Sequence, residues 1–186
     1  TQEHSSAASD VYKRQDWTYD DFCRQSTETR ADGTQTVVQR YRVLDGTRYA
    51  VRPAGMSPSI EIYPLSNVHY KIVTTSTGSA PVTVYYDQLG RDLRKETVGF
   101  NNRIIYQDTE YNALGQIERA SRHYFVGDPI HWVSFKYDPL GRVTEQNAPS
   151  DHGTRAITKT AYNGLETVVT DAKDRDTKTL KNVMDK

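Results

Sequence analysis

Residues 137–142 read Tyr-Asp-Pro-Leu-Gly-Arg, and this stretch decides the fold of the chain. Its aspartate can accept a hydrogen bond from the backbone two residues on, and its proline fits the second position of a type I turn. Its glycine supplies the left-handed residue that closes a three-residue hairpin loop with a bulge. Before the turn, Val133, Phe135 and Tyr137 alternate with polar or bulky residues, as in a β-strand. The stretch predicts a strand that enters a tight hairpin turn.

The same motif recurs at a fixed interval of 25 or 26 residues. The four copies are Tyr86, Asp87 and Gly90; Tyr111, Asn112 and Gly115; Tyr137, Asp138 and Gly141; and Tyr162, Asn163 and Gly164. The last copy is shorter and predicts a two-residue type I′ turn through Asn163 and Gly164. A fixed period of this length indicates a repeat architecture in which each unit stacks on its neighbours.

Each unit contains a second, polar turn about midway between two copies of the motif. These turns fall at residues 99–102, 127–129 and 151–154. In the first copy, Leu93 lies three residues after Gly90, one further than the matching Ile117 and Val143 in their copies. We expect a β-bulge there rather than a different register. Residues 82–186 are thus predicted to form four in-phase antiparallel β-hairpin repeats.

The first half of the chain fits the repeat less well. Tyr19 and Asp20 begin another copy, in which Cys23 replaces the turn glycine. Residues 32–38 then provide a polar turn and a strand rich in Thr and Val. Residues 16–81 are predicted to be a degenerate repeat region, and 42–81 to be an irregular insert or a decayed repeat with short edge strands around its prolines.

Residues 1–15 lack both the repeat register and an apolar face. They resemble a read-through peptide of sequencing adaptors, so we predict that they are non-native or disordered and that Val11 and Tyr12 pack against nothing. The native chain is expected to start near Asp16, as a fragment of a longer protein.

The composition favours a β-rich piece of a larger sheet. The chain has 186 residues, 13 of them tyrosine, and only 35% are hydrophobic. Its formal net charge is zero, which offers no electrostatic footprint for nucleic acid. No apolar run approaches the roughly 20 residues of a membrane-spanning helix. A single cysteine excludes an internal disulfide framework.

Candidate chemical sites are weak. The histidines lack metal-ligand spacing, alone or with Cys23, and no cofactor is predicted. Asp171, Asp174 and Asp176 lack the glycine and terminal glutamate of a calcium loop, so they are predicted to form the polar turn of the fourth repeat. Cys23 has no basic neighbour that would make it a nucleophile. The tyrosines are expected to pack within the sheet, with a carbohydrate-stacking surface as the alternative.

The four in-phase copies resemble the YD repeats of the Rhs family, which includes bacterial Rhs proteins, the B and C components of Tc insecticidal toxins, and teneurins. The resemblance covers residues 82–186 well. It implies an all-β strip of a larger curved or spiralling sheet that forms a hollow shell around a C-terminal toxin or other cargo domain. The implied partners are the rest of that shell and its cargo, and the implied location is secreted or on the bacterial surface. The family's autoproteolytic aspartates have no matching stretch here, so no enzymatic role is predicted.

Two alternatives stay open at this point. A carbohydrate-binding wall-associated or adhesion module requires several aromatic side chains exposed together on one face. A fragment of a repeat-bearing enzyme requires a polar cleft in which titratable groups are in contact.

Overall fold

A computed structural model describes residues 15–43, 65–150 and 155–182. They form fourteen strands in a single antiparallel sheet. The strands are β1 Asp16–Tyr19, β2 Gln25–Thr29, β3 Gln35–Arg42, β4 Tyr70–Ser76, β5 Val82–Tyr86, β6 Asp92–Val98, β7 Ile104–Tyr111, β8 Ile117–Ser121, β9 Tyr124–Phe125, β10 Trp132–Tyr137, β11 Val143–Pro149, β12 Arg155–Asn163, β13 Glu166–Thr170 and β14 Asp176–Leu180. The predicted all-β fold of repeated antiparallel hairpins is confirmed.

The strands follow one another across the sheet in chain order. The exception is β9, which pairs with the first half of β7, while β8 pairs with the second half and β10 continues from β8. Because neighbouring strands alternate in direction, the turns after β1, β5, β7, β10 and β12 lie at one end of the sheet. We call this the motif end. The intervening polar turns lie at the opposite end, which places two strands in each repeat.

Four of the five motif copies, all except the shorter one at Tyr162, close with the same bulge. The register shifts at Tyr19, Tyr86, Tyr111 and Tyr137, in each case next to the turn. The bulge expected in the copy at Tyr86 is therefore present, and the copies at Tyr19, Tyr111 and Tyr137 share it. Its register equals theirs, because Asp92 opposes Tyr86 as Ile117 opposes Tyr111.

The fourth turn differs from the prediction by one residue. Asn163 pairs with Glu166, so the loop consists of Gly164 and Leu165 rather than Asn163 and Gly164. Gly164 has φ +63°, and Leu165 is not among the residues with positive φ. A left-handed residue at the first loop position alone is the pattern of a type II′ turn, which glycine favours there. The predicted type I′ turn is wrong because Asn163 completes β12.

The irregular first half contains an additional hairpin. β3 and β4 pair over seven residues, and they lie between the hairpins β1–β2 and β5–β6. The 67 residues that separate Tyr19 from Tyr86 thus span two repeat steps, the second of which carries a long connection at the motif end. Part of that connection, 44–64, lies outside the described residues, as do 1–14 and the predicted turn at 151–154.

Two small clusters of buried hydrophobic residues lie on the sheet within the described ranges. Leu65 and Val68 pack on Tyr85, with Val43 and Leu93 beside them. Next to this group, Tyr124 and Val126 pack on Tyr106, with Ile104 and Ile130 at the periphery. The hydrophobic core is therefore small and lies over β5–β9 alone, which agrees with the lean hydrophobic content of the sequence.

Candidate functional surface

The motif turn is held by its aspartate. The Asp138 carboxylate accepts hydrogen bonds from the backbone N–H of Leu140 at 2.9 Å and of Arg142 at 2.9 Å, and from the Nε of Arg142 at 2.7 Å. Gly141, with φ +80°, donates its N–H to the Asp138 carbonyl. The predicted bond to the residue two positions on is present. The arginine that ends the motif completes the turn by neutralising the aspartate.

The same set of contacts forms the other motif turns. Asp87 binds Leu89 and Arg91 in this way. Asp20 does so around Cys23, whose φ of +58° confirms the left-handed turn position. In the second copy, Asn112 replaces the aspartate, and its Nδ2 donates to the Oε1 of Gln116 at 2.9 Å. The same turn is thus closed by an Asp–Arg pair in some copies and by an Asn–Gln pair in another.

Asp171 forms the same turn with Arg175 at the opposite end of the sheet, with Asp174 in the left-handed position at φ +56°. Asp171 and Asp174 thus belong to the polar turn of the fourth repeat as predicted, whereas Asp176 lies in β14, where it pairs with Thr170. The arginine side-chain and backbone hydrogen bonds lower the pKa of Asp171 to about 2. At Asp138, the backbone hydrogen bond from Arg142, with its side-chain bond, lowers the pKa of the carboxyl below its usual range.

The motif tyrosines form a ladder that joins neighbouring repeats. Each donates its hydroxyl to the first backbone carbonyl after the preceding motif turn. Tyr111 donates to Asp92 at 3.1 Å, Tyr137 to Ile117 at 2.8 Å, and Tyr162 to Val143 at 3.0 Å. Donor and acceptor are about 20 residues apart in sequence, so the bond links two hairpins rather than closing one. We call these three tyrosines the tyrosine ladder.

The arginine of one turn covers the tyrosine of the next. The Arg91 guanidinium lies 4.5 Å from the Tyr111 ring centroid, and that of Arg142 lies 4.2 Å from the ring of Tyr162. A side chain at Gly115 would meet Arg91 Nη1 at 3.4 Å. The motif arginine thus has two roles, within its own turn and against the next repeat. The motif shows the arginine, but a single sequence does not reveal that its other contact lies one repeat away.

The remaining motif tyrosines have different surroundings. The ring of Tyr86 stacks on that of Tyr70, with centroids 4.8 Å apart, and burial followed by the proximity of Tyr70 raises the pKa of Tyr86. Tyr19 is 63% exposed. In the ladder, burial and the hydrogen bond to Asp92 raise the pKa of Tyr111 to about 12. All five share a place in the motif, but only three share the inter-repeat bond.

The two faces of the sheet carry different residue types. Directly opposed residues of an antiparallel pair lie on the same face, so the pairings can be followed from β4 to β14. The face that bears the tyrosine ladder, here called the tyrosine face, carries mainly Val, Ile, Thr and Tyr. Its charged members among the paired positions are Lys95 and, at the bulge, Asp92. In β12, this face is the less exposed of the two. The predicted grouping of Val133, Phe135 and Tyr137 on one face is confirmed.

The opposite face, here called the charged face, carries the cross-strand ion pairs. Glu110 binds Arg119 at 2.6 Å, and Lys136 binds Glu145 at 3.0 Å. Lys159 and Lys178 also lie on this face. From β4 to β14, most charged residues at paired positions therefore lie on one face, and that same face also carries the buried Tyr85 and Tyr106.

One ion pair on the charged face is buried and is bonded by the tyrosine of β9. Arg94 and Asp108 are 2% and 1% exposed, and the guanidinium binds the carboxylate through Nε at 2.5 Å and Nη2 at 2.7 Å. The Tyr124 hydroxyl donates to Asp108 Oδ2 at 2.6 Å, and the backbone N–H of Asp108 donates to Ser121 Oγ. Burial, and then this hydrogen bond, raises the pKa of the Tyr124 hydroxyl. Because these groups bind one another, we interpret them as contacts that hold β9 in place rather than as a reactive site.

A cavity of about 570 Å³ lies between the segment at 65–69, the Asp87 turn and the end of β7. Its wall includes Val68, His69, Arg91, Glu110 and Tyr111. Each of its charged walls already has a partner, because Arg91 binds Asp87 and Glu110 binds Arg119. Asp87 and Arg91 both line the cavity, where Arg91 and Glu110 each remain 31% exposed.

Within residues 15–43, 65–150 and 155–182, no three His, Cys, Asp or Glu side chains converge as a metal-binding group. Cys23 is an exposed free thiol. The same ranges contain no helix with the length and apolar character needed to cross a membrane.

Comparison with protein-family models finds no match to this chain, and comparison with curated proteins likewise finds none.

Proposed function

We propose that this chain is a structural shell segment of a bacterial Rhs-type repeat protein. In this role, it forms part of the wall of a β-sheet enclosure that surrounds a C-terminal cargo domain, a toxin by resemblance, and helps to deliver it. The wall would be secreted or displayed on the cell surface. We propose no catalytic role and no cofactor for these residues.

The tyrosine ladder is the observation that carries the proposal. Tyr111, Tyr137 and Tyr162 make the same hydrogen bond to the preceding hairpin, so each repeat fixes the position of the repeat that follows it. Such iteration extends a sheet without a natural stop, since every unit contacts only its neighbours. A wall needs this property, whereas a binding pocket does not.

The two unlike faces support the same role. An extended sheet with a nearly uncharged face and an ion-paired face separates two environments. A sheet with water on both sides would carry charged residues on both faces. Here they are concentrated on one face, as in the pair Lys136 and Glu145.

The edges of the sheet also favour a larger assembly. Among the described strands, β1 and β14 each pair with one neighbour. Unpaired edges are an aggregation hazard, which proteins avoid by pairing, covering or closing the sheet. Continuation of the sheet into further repeats of the same protein satisfies these edges.

A carbohydrate-binding or adhesion module is the second candidate, and the first hairpin favours it. Trp17 and Tyr19 are 49% and 63% exposed and lie two residues apart on the same strand. Two exposed aromatic rings side by side are a typical sugar-stacking arrangement. The tyrosine ladder argues against an extended platform, because its hydroxyls are bonded and the rings of Tyr111 and Tyr162 are covered by arginines.

A glycan-array screen of the folded chain, beside thermal melts, separates the two functions. The shell role predicts that no glycan binds specifically. The matched variants are Trp17→Ala, at the exposed pair, and Tyr137→Phe, in the ladder. Specific glycan binding that is lost in Trp17→Ala, with the melting temperature unchanged, would favour the adhesion module and overturn the shell proposal.

A further inference from the structure

The fourth motif turn contains the only Asn-Gly pair in the sequence, at Asn163 and Gly164. Asn163 is exposed as the last residue of β12, and its carboxamide makes no hydrogen bond within the described ranges. The N–H of Gly164 likewise has no partner among the described residues, and a side chain at this glycine would meet nothing within 4 Å. An unrestrained carboxamide thus lies next to a backbone nitrogen that is open to water.

The asparagine of the second motif turn has the opposite surroundings. Asn112 Oδ1 accepts the backbone N–H of Leu114 at 3.0 Å and that of Gln116 at 3.0 Å, while its Nδ2 donates to Gln116 Oε1 at 2.9 Å. The next residue is Ala113, whose methyl group hinders approach to its backbone nitrogen, whereas glycine has no such group. The two asparagines share a place in the repeat, but only one has a free carboxamide.

We propose that Asn163 is a site of spontaneous deamidation in the folded chain. The backbone nitrogen of Gly164 loses its proton to hydroxide and attacks Cγ of Asn163, which forms a new C–N bond. The C–N bond of the carboxamide breaks, and the leaving nitrogen takes a proton from water and departs as ammonia. Water then opens the resulting five-membered succinimide at either of its two carbonyls, which yields aspartate or isoaspartate at this position.

The position of Asn163 at the end of a hairpin makes this attack accessible. The backbone of Asn163 must rotate out of its extended conformation, because an extended residue holds its own Cγ away from the next backbone nitrogen. The pair between Asn163 and Glu166 is the last of β12 and β13, and strand ends of this kind open at low cost. At Asn112, the same rotation must first break the three hydrogen bonds that hold the carboxamide.

Either product weakens the hairpin of β12 and β13. Asn163 lies directly opposite Glu166, so a carboxylate in its place puts two negative charges across one pair of an antiparallel ladder, which is destabilising. Isoaspartate also adds one carbon atom to the backbone. This change falls next to Tyr162, whose hydroxyl binds the Val143 carbonyl of the preceding repeat. Deamidation therefore loosens the last described bond of the tyrosine ladder, and it does so whether or not the chain has the shell role.

Incubation of the folded chain at mildly alkaline pH, followed by peptide mapping with mass spectrometry, tests the proposal. The amide of Asn163 is expected to be lost at least about tenfold faster than that of Asn112, since three hydrogen bonds restrain the latter. The same incubation in concentrated guanidinium chloride separates the effect of the fold from that of the sequence. Unfolding should change the rate at Asn163 by less than about threefold, because its strand end already opens in the folded chain, and should clearly raise the rate at Asn112.

Asn163→Gln is the matched control, because glutamine keeps the amide but places it one carbon too far away to form the five-membered ring. After incubation, the wild-type chain should unfold at a lower urea concentration than before, whereas Asn163→Gln should not change. Loss of the Asn163 amide no faster than that of Asn112 would overturn the proposal. A fold that slows deamidation at Asn163 as strongly as at Asn112 would also overturn it. A converted wild-type chain that unfolds like the fresh one would contradict the loosening of the hairpin.

Discussion

The hydroxyl of Tyr137 offers a direct measure of what joins two repeats. Tyr137→Phe keeps the ring and removes only the 2.8 Å bond to the Ile117 carbonyl. A neutral hydrogen bond contributes about 0.5–1.5 kcal/mol net, and the carbonyl left behind lies near the surface, where water can replace the donor. We therefore expect the free energy of unfolding to fall by about 1 kcal/mol. The same loss is expected for Tyr162→Phe, since it makes the equivalent bond at 3.0 Å.

Urea unfolding followed by circular dichroism measures this loss. Tyr41→Phe is the matched control, because its hydroxyl binds Gln39 on its own strand and joins no repeats. Its effect should stay within about 0.5 kcal/mol, as for most surface substitutions. A loss for Tyr41→Phe equal to that for Tyr137→Phe would refute the reasoning, as would ladder variants as stable as the wild type.

Three further outcomes follow from the turns and the buried pair. Cys23→Gly should raise the free energy of unfolding by up to about 1 kcal/mol, because glycine carries no penalty at the left-handed position; a lower melting temperature would contradict this. The double variant Asp138→Asn with Arg142→Gln should adopt the Asn112 type of turn. Because a carboxyl with a lowered pKa stabilises the fold only while it is ionised, the stability of this variant should decline less than that of the wild type as the pH falls from about 4 to about 2. Acid unfolding curves that coincide would contradict this. Asp108→Asn should cost about 3–5 kcal/mol in urea unfolding, because the buried Arg94 charge loses its partner; a cost under about 1 kcal/mol would show that the pair is not buried in solution.

The partial burial of the ladder lowers the expected cost of removing a whole tyrosine side chain. Full burial of a motif tyrosine predicts a cost of about 3–5 kcal/mol for its replacement by alanine. The described ladder tyrosines are only partly buried, so Tyr137→Ala should cost less, roughly 2 kcal/mol. Thermal melts of Tyr137→Ala and Tyr162→Ala should give similar losses, and a loss confined to one of them would contradict their equivalence.

The sequence predicts the features that depend on local chemistry. The turn at Asp138 and the alternation before it follow from residues next to one another in the chain, so the fold class and three of the four turns are correct. The fourth turn is misplaced by one residue because Asn163 and Gly164 favour a tight turn in isolation, whereas pairing with Glu166 decides where the strand ends. The bulge that four of the five motif copies share has no distinct signal in the sequence, because the copies at Tyr86 and Tyr111 have the same register although only the first shows the offset at Leu93.

The features that the sequence does not reveal involve distant residues. Arg94, Asp108 and Tyr124 carry no motif, and their contacts depend on the pairing of β9 with β7, which no local pattern predicts. The packing of Val68 on Tyr85 likewise depends on a long connection whose path no local pattern encodes. The tyrosine ladder is intermediate, because its members are visible as a repeat but their acceptors become evident only in the sheet.

Protection of a cargo domain tests the shell role most directly. The experiment uses the polypeptide encoded by the longest reading frame that carries these residues, with limited proteolysis followed by mass spectrometry. The account predicts that segments downstream of the repeats resist cleavage while the sheet is folded, and become sensitive in a variant with Asp108→Asn and Tyr137→Ala. Downstream segments that are cleaved equally fast with the repeats intact, unfolded or removed would contradict it.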